Sequence, residues 1–291
     1  MFDTDHEPAP AHAPLVRIIP FGHEATVSYG GGTAQGPAAI IAAAPQVELF
    51  DDELWCEPIR FFRTEVANIP PPAPRTEDAL DQLSAHVRAA IDVGAFPLVL
   101  GGEHSITPGA IRPLVDRHGR LTLLHFDAHA DLRDGYDGEH FSHAAAIRRC
   151  LDDDRVSVVS FGIRNISRGE VPFLEANRDR VRIHWARDRA RWDIEAALEP
   201  LRDRPVFITF DLDGFDGSVM PATGTPEPGG LFWDDVMPIL RRAAEVSDIV
   251  GADVVELAPR PELHACDFLA AKLCYKLLSF RFAQSSRAQS G

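Results

Sequence analysis

The sequence predicts an α/β protein, a three-layer α/β/α sandwich around a mainly parallel central sheet. Two observations carry this. Short apolar runs of strand length, such as Leu121 to Phe126 and Pro205 to Phe210, alternate along the chain with stretches whose apolar residues recur at helical spacing. A chain of 291 residues with 45% hydrophobic content can also bury a large core, as one big α/β domain or two ordinary ones. Residues 1–14, rich in Pro, Ala and His and without apolar periodicity, are expected to form a flexible arm, and residues 15–291 a single domain. His6 and His12 in that arm have no fixed geometry to make ligands of them.

In chain order, Leu15 to Ile19 suits a first strand. The glycines from Gly30 to Gly36 fit neither the dinucleotide nor the P-loop spacing, so they read as a tight turn whose Pro37 starts a helix through Ile40 and Ile41. Ile59 to Val66 suits another strand, and Asn68 to Pro74 a proline-rich connector. A helix opens at Thr76, with Glu77 and Asp78 in its first turn. It buries Leu80, Leu83, Val87 and Ile91 and closes at Gly94. The strand Phe96 to Leu100 runs into Gly101-Gly102-Glu103-His104-Ser105, where paired glycines allow a sharp turn and a close backbone approach.

After the strand Leu121 to Phe126 come an acidic loop from Asp134 to Glu139 and a helix beginning in the stretch Phe141 to Cys150. Arg155 to Phe161 is a strand ending at Gly162-Ile163-Arg164, and Val181 to Leu201 holds a short strand and a helix. Pro205 to Phe210 is a buried strand, followed by a long Pro/Gly connection through Gly230 and a helix from about Asp235 to Val246. Ile249 to Val255 makes the last core strand, and Asp267 to Phe282 a closing helix with Leu269, Leu273 and Leu277 on one face.

Chemistry concentrates where strands end. Asp127, His129 and Asp131 follow the strand at Phe126 with alanines between them, and in extended chain residues at i, i+2 and i+4 point the same way. His104 stands at the exit of a second strand, Asp211 and Asp213 at that of a third, Glu256 at that of a fourth. Right-handed crossovers place the carboxyl ends of parallel strands along one edge, where sites of open α/β sheets form. The combination is therefore a metal site in outline. An EF-hand reading of Asp211-Leu212-Asp213-Gly214-Phe215-Asp216-Gly217 fails, because its third acid and its glycine are displaced and a strand precedes it.

Composition narrows the partners. A net charge of −15, from 44 acidic and 29 basic residues, argues against nucleic acid or an anionic membrane and favours a cationic small substrate. Four scattered cysteines indicate neither a disulfide framework nor a zinc ribbon, which suits a reducing cytoplasm. The acidic start and the absence of a long apolar run predict a soluble protein without a signal peptide or membrane span.

Gly101-Gly102-Glu103-His104-Ser105, Asp127-Ala128-His129-Ala130-Asp131 and Phe210-Asp211-Leu212-Asp213 resemble, in order, the three metal-binding signatures of the ureohydrolase family, which includes arginases and agmatinases. Val254-Val255-Glu256 with Pro259 resembles that family's guanidinium-binding segment, and His143 to Cys150 the stretch carrying its proton-shuttling histidine. Ala222 to Gly230, Ser28-Tyr29-Gly30 and Phe141-Ser142-His143-Ala144 are similar to microbial agmatinases. The resemblance implies an arginase-like fold, two Mn²⁺ or other divalent transition ions, and a homo-oligomer, trimeric or hexameric. His104, Asp127, His129, Asp131, Asp211 and Asp213 would be the ligands. Asp127 and Asp211 would bridge, with His104 and Asp131 completing one position and His129 and Asp213 the other. Two imidazoles and four carboxylates are a hard set that suits such ions.

The implied reaction is hydrolysis of a guanidino compound to urea and an amine, foremost agmatine to putrescine and urea. Glu256 would grip the guanidinium, and Asp131 or His143 would protonate the leaving amine, with His140 a rival to His143. Asp134, Asp137 and Glu139 could receive a distal ammonium. Arg133 and Arg164 could instead bind a carboxylate tail, which would favour 4-guanidinobutyrate. Arginine and formiminoglutamate are further alternatives, although Arg133 stands where arginases carry an asparagine. Asp216-Gly217 departs from the family's usual Asp-Pro. Outside this class, a single-zinc deacylase of the related deacetylase superfamily needs fewer of these ligands, and a catalytically silent regulatory relative would release no urea.

Overall fold

Side chains on a strand alternate between the two faces of a sheet, so a strand covered on both sides must be largely apolar. The computed structural model, which describes residues 1–2 and 8–287 with side chains as far as Ala283, bears this out. Its strands are β1 (Leu15–Phe21), β2 (Arg63–Val66), β3 (Phe96–Gly101), β4 (Leu121–Phe126), β5 (Val156–Phe161), β6 (Val181–His184), β7 (Pro205–Asp211) and β8 (Asp248–Val255). They form one sheet in the order β2-β1-β3-β8-β7-β4-β5-β6, with every neighbouring pair parallel.

The helices are α1 (Gly36–Ala43), α2 (Thr76–Asp92), α3 (Thr107–His118), α4 (Ala146–Cys150), α5 (Val171–Ala176), α6 (Ile194–Leu198), α7 (Trp233–Val246) and α8 (His264–Arg287). On one face Ile18, Leu100, Ile208 and Phe210 pack with Ile40 of α1, Leu240 of α7 and Leu273 of α8. On the other, Ile19, Val99, Leu123 and Phe207 pack with Leu83 of α2, Leu114 of α3 and Ile147 of α4. The three-layer sandwich expected from the sequence is the fold that forms. No described helix is long and apolar enough to cross a membrane.

Several elements differ from expectation for local reasons. The strand expected over Ile59–Val66 is confined to β2, because Pro58 starts a 3-10 turn over Pro58–Phe61 that buries Ile59. Thr76 is the first residue of α2 and not its cap; its hydroxyl lies 3.1 Å from His23 Nε2. Gly94 does end α2 in the left-handed region, at φ 73°. Phe2, in the segment expected to be a flexible arm, is buried with its ring edge-on to Tyr275 at 4.9 Å. His12 is exposed and His6 lies outside the described residues.

Helix α3 had no counterpart in the sequence reading, since it contains Pro108 and Pro113. A proline inside a helix removes the N–H that would bond the carbonyl four residues earlier. Here that carbonyl belongs to Gly109, and it accepts the Ser84 hydroxyl of α2 at 2.7 Å. The helices meet so closely at this point that a Cβ on Gly109 would lie 2.7 Å from the Leu80 carbonyl oxygen. We expect Gly109→Ala to lower unfolding stability by roughly 1–3 kcal/mol, measured by chemical denaturation, as backbones too close for a methyl group must separate.

Candidate metal centre

The four adjacent central strands β3, β8, β7 and β4 end on one edge, and each delivers candidate residues there. Gly102 is what lets His104 do so. A Cβ on it would lie 2.0 Å from the His23 carbonyl oxygen, so the turn after β3 can cross the β1 exit only with glycine. Behind β4, Gly214 passes so close to Asp127 that a Cβ there would lie 2.9 Å from the Asp127 nitrogen.

His104 Nδ1 faces three carboxylates: Asp127 Oδ2 at 3.1 Å, Asp131 Oδ2 at 3.1 Å and Asp211 Oδ2 at 3.4 Å. His129 Nδ1 lies 3.0 Å from Asp213 Oδ2 and 3.5 Å from Asp127 Oδ1. Asp127 thus presents one oxygen to each imidazole and stands between two groups. The six residues expected to meet do meet. The convergence does not come from extended alternation alone: β4 stops at Phe126, and Asp131 is brought back by a left-handed backbone at φ 52°. Backbone amides fix the other carboxylates. Asp127 accepts the His129 N–H (2.6 Å), Asp211 the Asp213 N–H (2.8 Å) and Asp213 the Ala128 N–H (3.0 Å).

The electrostatics show how strongly the cluster asks for positive charge. Burial alone would lower the pKa of His129, but Asp213 and Asp127 outweigh it and lift the group to about 12. His104 is likewise raised well above 6.5, burial being outweighed by Asp127, Asp131 and Asp211. Asp131 is pushed up to about 7 by burial and by the charge of Asp127, and Asp211 is raised by burial and by Asp213. Asp127 goes the other way, because His104, His125 and His129 outweigh its burial.

Among these contacts His104 Nδ1 has no aligned hydrogen-bond partner, although it is buried with three carboxylate oxygens nearby. Its Nε2 lies 2.9 Å from Thr209 Oγ1, which is 3.4 Å from Thr107 Oγ1, whose hydroxyl donates to buried Asp253 (2.9 Å). Passing the hydroxyl protons toward the carboxylate leaves Thr209 accepting from Nε2–H, so it is Nδ1 that would give up its proton to an incoming cation and offer its lone pair. An orphaned imidazole lone pair among carboxylates is what a hard divalent cation requires, and Asp127, His129 and Asp213 form a second such group. His125 also lies within ligand distance of His104 and Asp127, but both its nitrogens are engaged, Nε2 with Asp127 (2.9 Å) and Nδ1 with Ser160 (3.0 Å). It orients Asp127.

A cavity of about 330 Å³ opens above the cluster, lined by Glu103, Asp131, Arg133, Tyr136, His143, Glu227 and Glu256, among others. Glu256 has a left-handed backbone, φ 66°, and its Oε1 accepts the His104 N–H at 2.7 Å. Burial, then the charge of Glu103, raise its pKa well above 4.5. His143 lies in the cavity wall with its pKa lowered, chiefly by burial. His140 does not: it is exposed and packs on Arg149, with Nδ1 3.2 Å from the Asp134 carbonyl. Arg133 lines the cavity, its guanidinium 4.9 Å from the Tyr136 ring centroid and without an ion pair among the described residues.

Two expectations are corrected. Arg164 is not available to substrate, because its guanidinium donates to the carbonyls of Gly162, Asp213, Gly214, Phe215, Glu227 and Pro228. The acids of the 134–139 loop are not among the cavity-lining residues either, although its Tyr136 is; Asp134 pairs with Arg149 at 2.7 Å, and Glu139 borders a neighbouring hollow. Gly217, which departs from the family's usual proline, donates its N–H to the Glu227 carbonyl (3.2 Å), a bond proline could not make. Sequence reasoning missed Glu103, Thr26, His125 and Asp253. His125 sits in plain view inside the β4 run, while the others act through contacts that no local pattern announces.

Fold and cluster together define an α/β protein with a carboxylate-rich His/Asp cluster, able to hold metal ions, at the carboxyl edge of its sheet. The chain matches the Arginase family over residues 15–279 and belongs to it; it is a ureohydrolase. It is 32% identical over 274 residues to an N(1)-aminopropylagmatine ureohydrolase of Synechocystis sp., covering 91% of this chain and 88% of the relative. It is 30% identical over 262 residues to a guanidinobutyrase of Pseudomonas aeruginosa, covering 86% and 81%. The solved agmatine ureohydrolase of Thermoplasma volcanium superposes with a TM-score of 0.82 at 30% identity, covering 94% of this chain and 92% of that one.

Because Arg164 ties three loop segments together through their carbonyls, Arg164→Met should lower stability by roughly 2–4 kcal/mol, leaving several carbonyls without a donor. Thermal unfolding would register this, while the KM for substrate should move by less than about threefold, since the side chain is turned from the cavity.

Proposed function

We propose that this ureohydrolase binds two divalent cations, Mn²⁺ foremost, through His104, Asp127, Asp131, Asp211, His129 and Asp213, and cleaves agmatine to urea and putrescine. The observation that carries the reading is the pairing of imidazoles and carboxylates about Asp127 in the same cavity as the carboxylate of Glu256. Held by these residues, divalent cations would lower the pKa of water and so would supply a nucleophile near neutral pH. A guanidinium carbon needs one, because its charge is spread over three nitrogens.

Glu256 binds the guanidinium. Its Oε1 is steadied by the His104 N–H, its burial raises the cost of an unpaired negative charge, and an incoming cation relieves that cost through charge-assisted hydrogen bonds. This also sets the orientation of the reacting carbon over the cluster. His143 carries the proton: neutral at pH 7, it accepts at Nε2 and returns the proton to the leaving amine. Names among the relatives support a cationic tail, as does the chain's net charge of −15.

Arg133 supports a second reading. As a cation in the cavity wall without an ion pair among the described residues, it suits a carboxylate tail, as in 4-guanidinobutyrate. A urea-release screen of agmatine, N(1)-aminopropylagmatine, 4-guanidinobutyrate and arginine on manganese-loaded protein decides between them. Agmatine should give the highest kcat/KM, and a higher value for 4-guanidinobutyrate would replace it.

Two further outcomes are expected. Titration calorimetry with Mn²⁺ should give two ions per chain, and Asp127→Asn, which weakens the shared carboxylate, should reduce the stoichiometry or weaken affinity by at least about tenfold. His143→Asn should lower kcat by roughly 10²–10⁴-fold. Burial holds His143 below 6.5, so it is neutral at pH 7 and gains its proton only as pH falls below that value. Activity of the wild type should therefore decline on acidification through that range, and His143→Asn should lack that contribution to the pH profile.

A further inference from the structure

Glu103 is 1% exposed, and all four of its partners are donors. Its Oε2 accepts the Ala25 N–H (2.8 Å) and the Thr26 N–H (2.7 Å), and its Oε1 accepts the Thr26 hydroxyl (2.9 Å) and the Ser105 hydroxyl (2.6 Å). That fills the four acceptor positions of a carboxylate. The Thr26 hydroxyl therefore directs its only proton at Glu103 and meets its other neighbours as an acceptor. Those neighbours both belong to His143, whose backbone N–H donates to Thr26 Oγ1 at 3.0 Å and whose Nδ1 lies 3.0 Å from the same oxygen.

Since Thr26 Oγ1 has no second proton to give, its 3.0 Å contact is a hydrogen bond only if Nδ1 brings one; Ser142 Oγ, the other neighbour of Nδ1, lies at the longer 3.5 Å and accepts the Ala144 N–H. His143 is then the tautomer with Nδ1–H, and Nε2 at the far edge of the ring keeps a free lone pair. The ring's other side is bounded by Tyr136, edge-on with centroids 6.0 Å apart. We infer that Glu103 and Thr26 are positioning residues that hold His143 in the one tautomer and orientation able to accept a proton from the cavity. The inference rests on the reading of His143 as proton carrier. It adds that the carrier is set from the β3 and β1 exits, by two residues distant from it in sequence.

The chemistry explains why a carboxylate and a hydroxyl are both needed. Glu103 bonded directly to Nδ1 would stabilise the imidazolium and discourage release of the proton to the amine. A hydroxyl between them conveys direction with far less charge. Where a catalytic histidine is left in the wrong tautomer, kcat falls by as much as about 10⁴.

The test uses the full-length, manganese-loaded protein and four variants: Thr26→Val, Thr26→Ser, His143→Asn and the Thr26→Val/His143→Asn double variant. Thr26→Val keeps the shape and removes the acceptor, so kcat for urea release should fall roughly 10–100-fold with KM within about threefold. Thr26→Ser should recover kcat to within about threefold of wild type. The double variant should be no slower than His143→Asn, because Thr26 acts only through that ring.

Independently of activity, ¹⁵N-histidine NMR on protein loaded with diamagnetic Mg²⁺ or Zn²⁺ in place of paramagnetic Mn²⁺, with the His143 signals assigned by their loss in His143→Asn, should find the proton on Nδ1 in the wild type and in Thr26→Ser. In Thr26→Val it should shift toward Nε2. Wild-type kcat or an unchanged tautomer in Thr26→Val would overturn the proposal, as would a Thr26→Ser variant as slow as Thr26→Val or additive losses in the double variant. If His143→Asn itself released urea at the wild-type rate, the reading of His143 as proton carrier would fail; the NMR result would still decide whether Thr26 sets its tautomer.

Discussion

Crowding negative charge into a place that water barely reaches is the constraint on which this structure depends. Two unit charges 4 Å apart repel by about 4 kcal/mol at the effective dielectric of a protein site. Asp127, Asp131, Asp211 and Asp213 are all buried together. The fold opposes their separation with rigid parts, namely four parallel strands side by side and backbone N–H groups aimed at Asp127, Asp211 and Asp213. The arrangement is thereby prepared for cations, and no loop has to be gathered when they arrive.

The turn from Gly101 to Ser105 does a large share of this work. Gly102 slides under the His23 carbonyl, and Glu103 gathers the loop at Ala25 and Thr26. His104 places its ring among the aspartates and its N–H on Glu256. Five residues therefore link the cluster proposed to hold cations to the carboxylate proposed to hold a guanidinium. Left-handed backbone at Asp131 and Glu256 belongs to the same logic, since β-region geometry at either would carry the carboxylate away from this turn.

How much of this could be read from the sequence follows from the range of each interaction. The six clustered residues were legible because a buried strand is a local apolar run, and a polar alternation at its end is equally local; parallel topology then supplies the meeting point. Glu103 and Thr26 are 77 positions apart, and Thr107 and Asp253 are 146 apart, so no spacing rule could pair them. Helix α3 was hidden because its interior Pro113 is tolerated through a carbonyl satisfied from another helix. Arg164 looked available because an arginine after a strand reads the same whether it faces a ligand or six carbonyls. The acidic loop looked suited to an ammonium because Asp134's pairing with Arg149 cannot be seen in composition.

The strand order has a consequence for how the chain comes to exist. β8, made late, lies between β3 and β7, and without it the sheet would be two separate slabs, β2-β1-β3 and β7-β4-β5-β6. His104 belongs to the first slab and all four aspartates to the second. During synthesis, then, a ribosome must release residues 248–256 before the halves can close on one another. Any ion captured earlier would find only the donors of one half, so faithful loading belongs to the finished polypeptide.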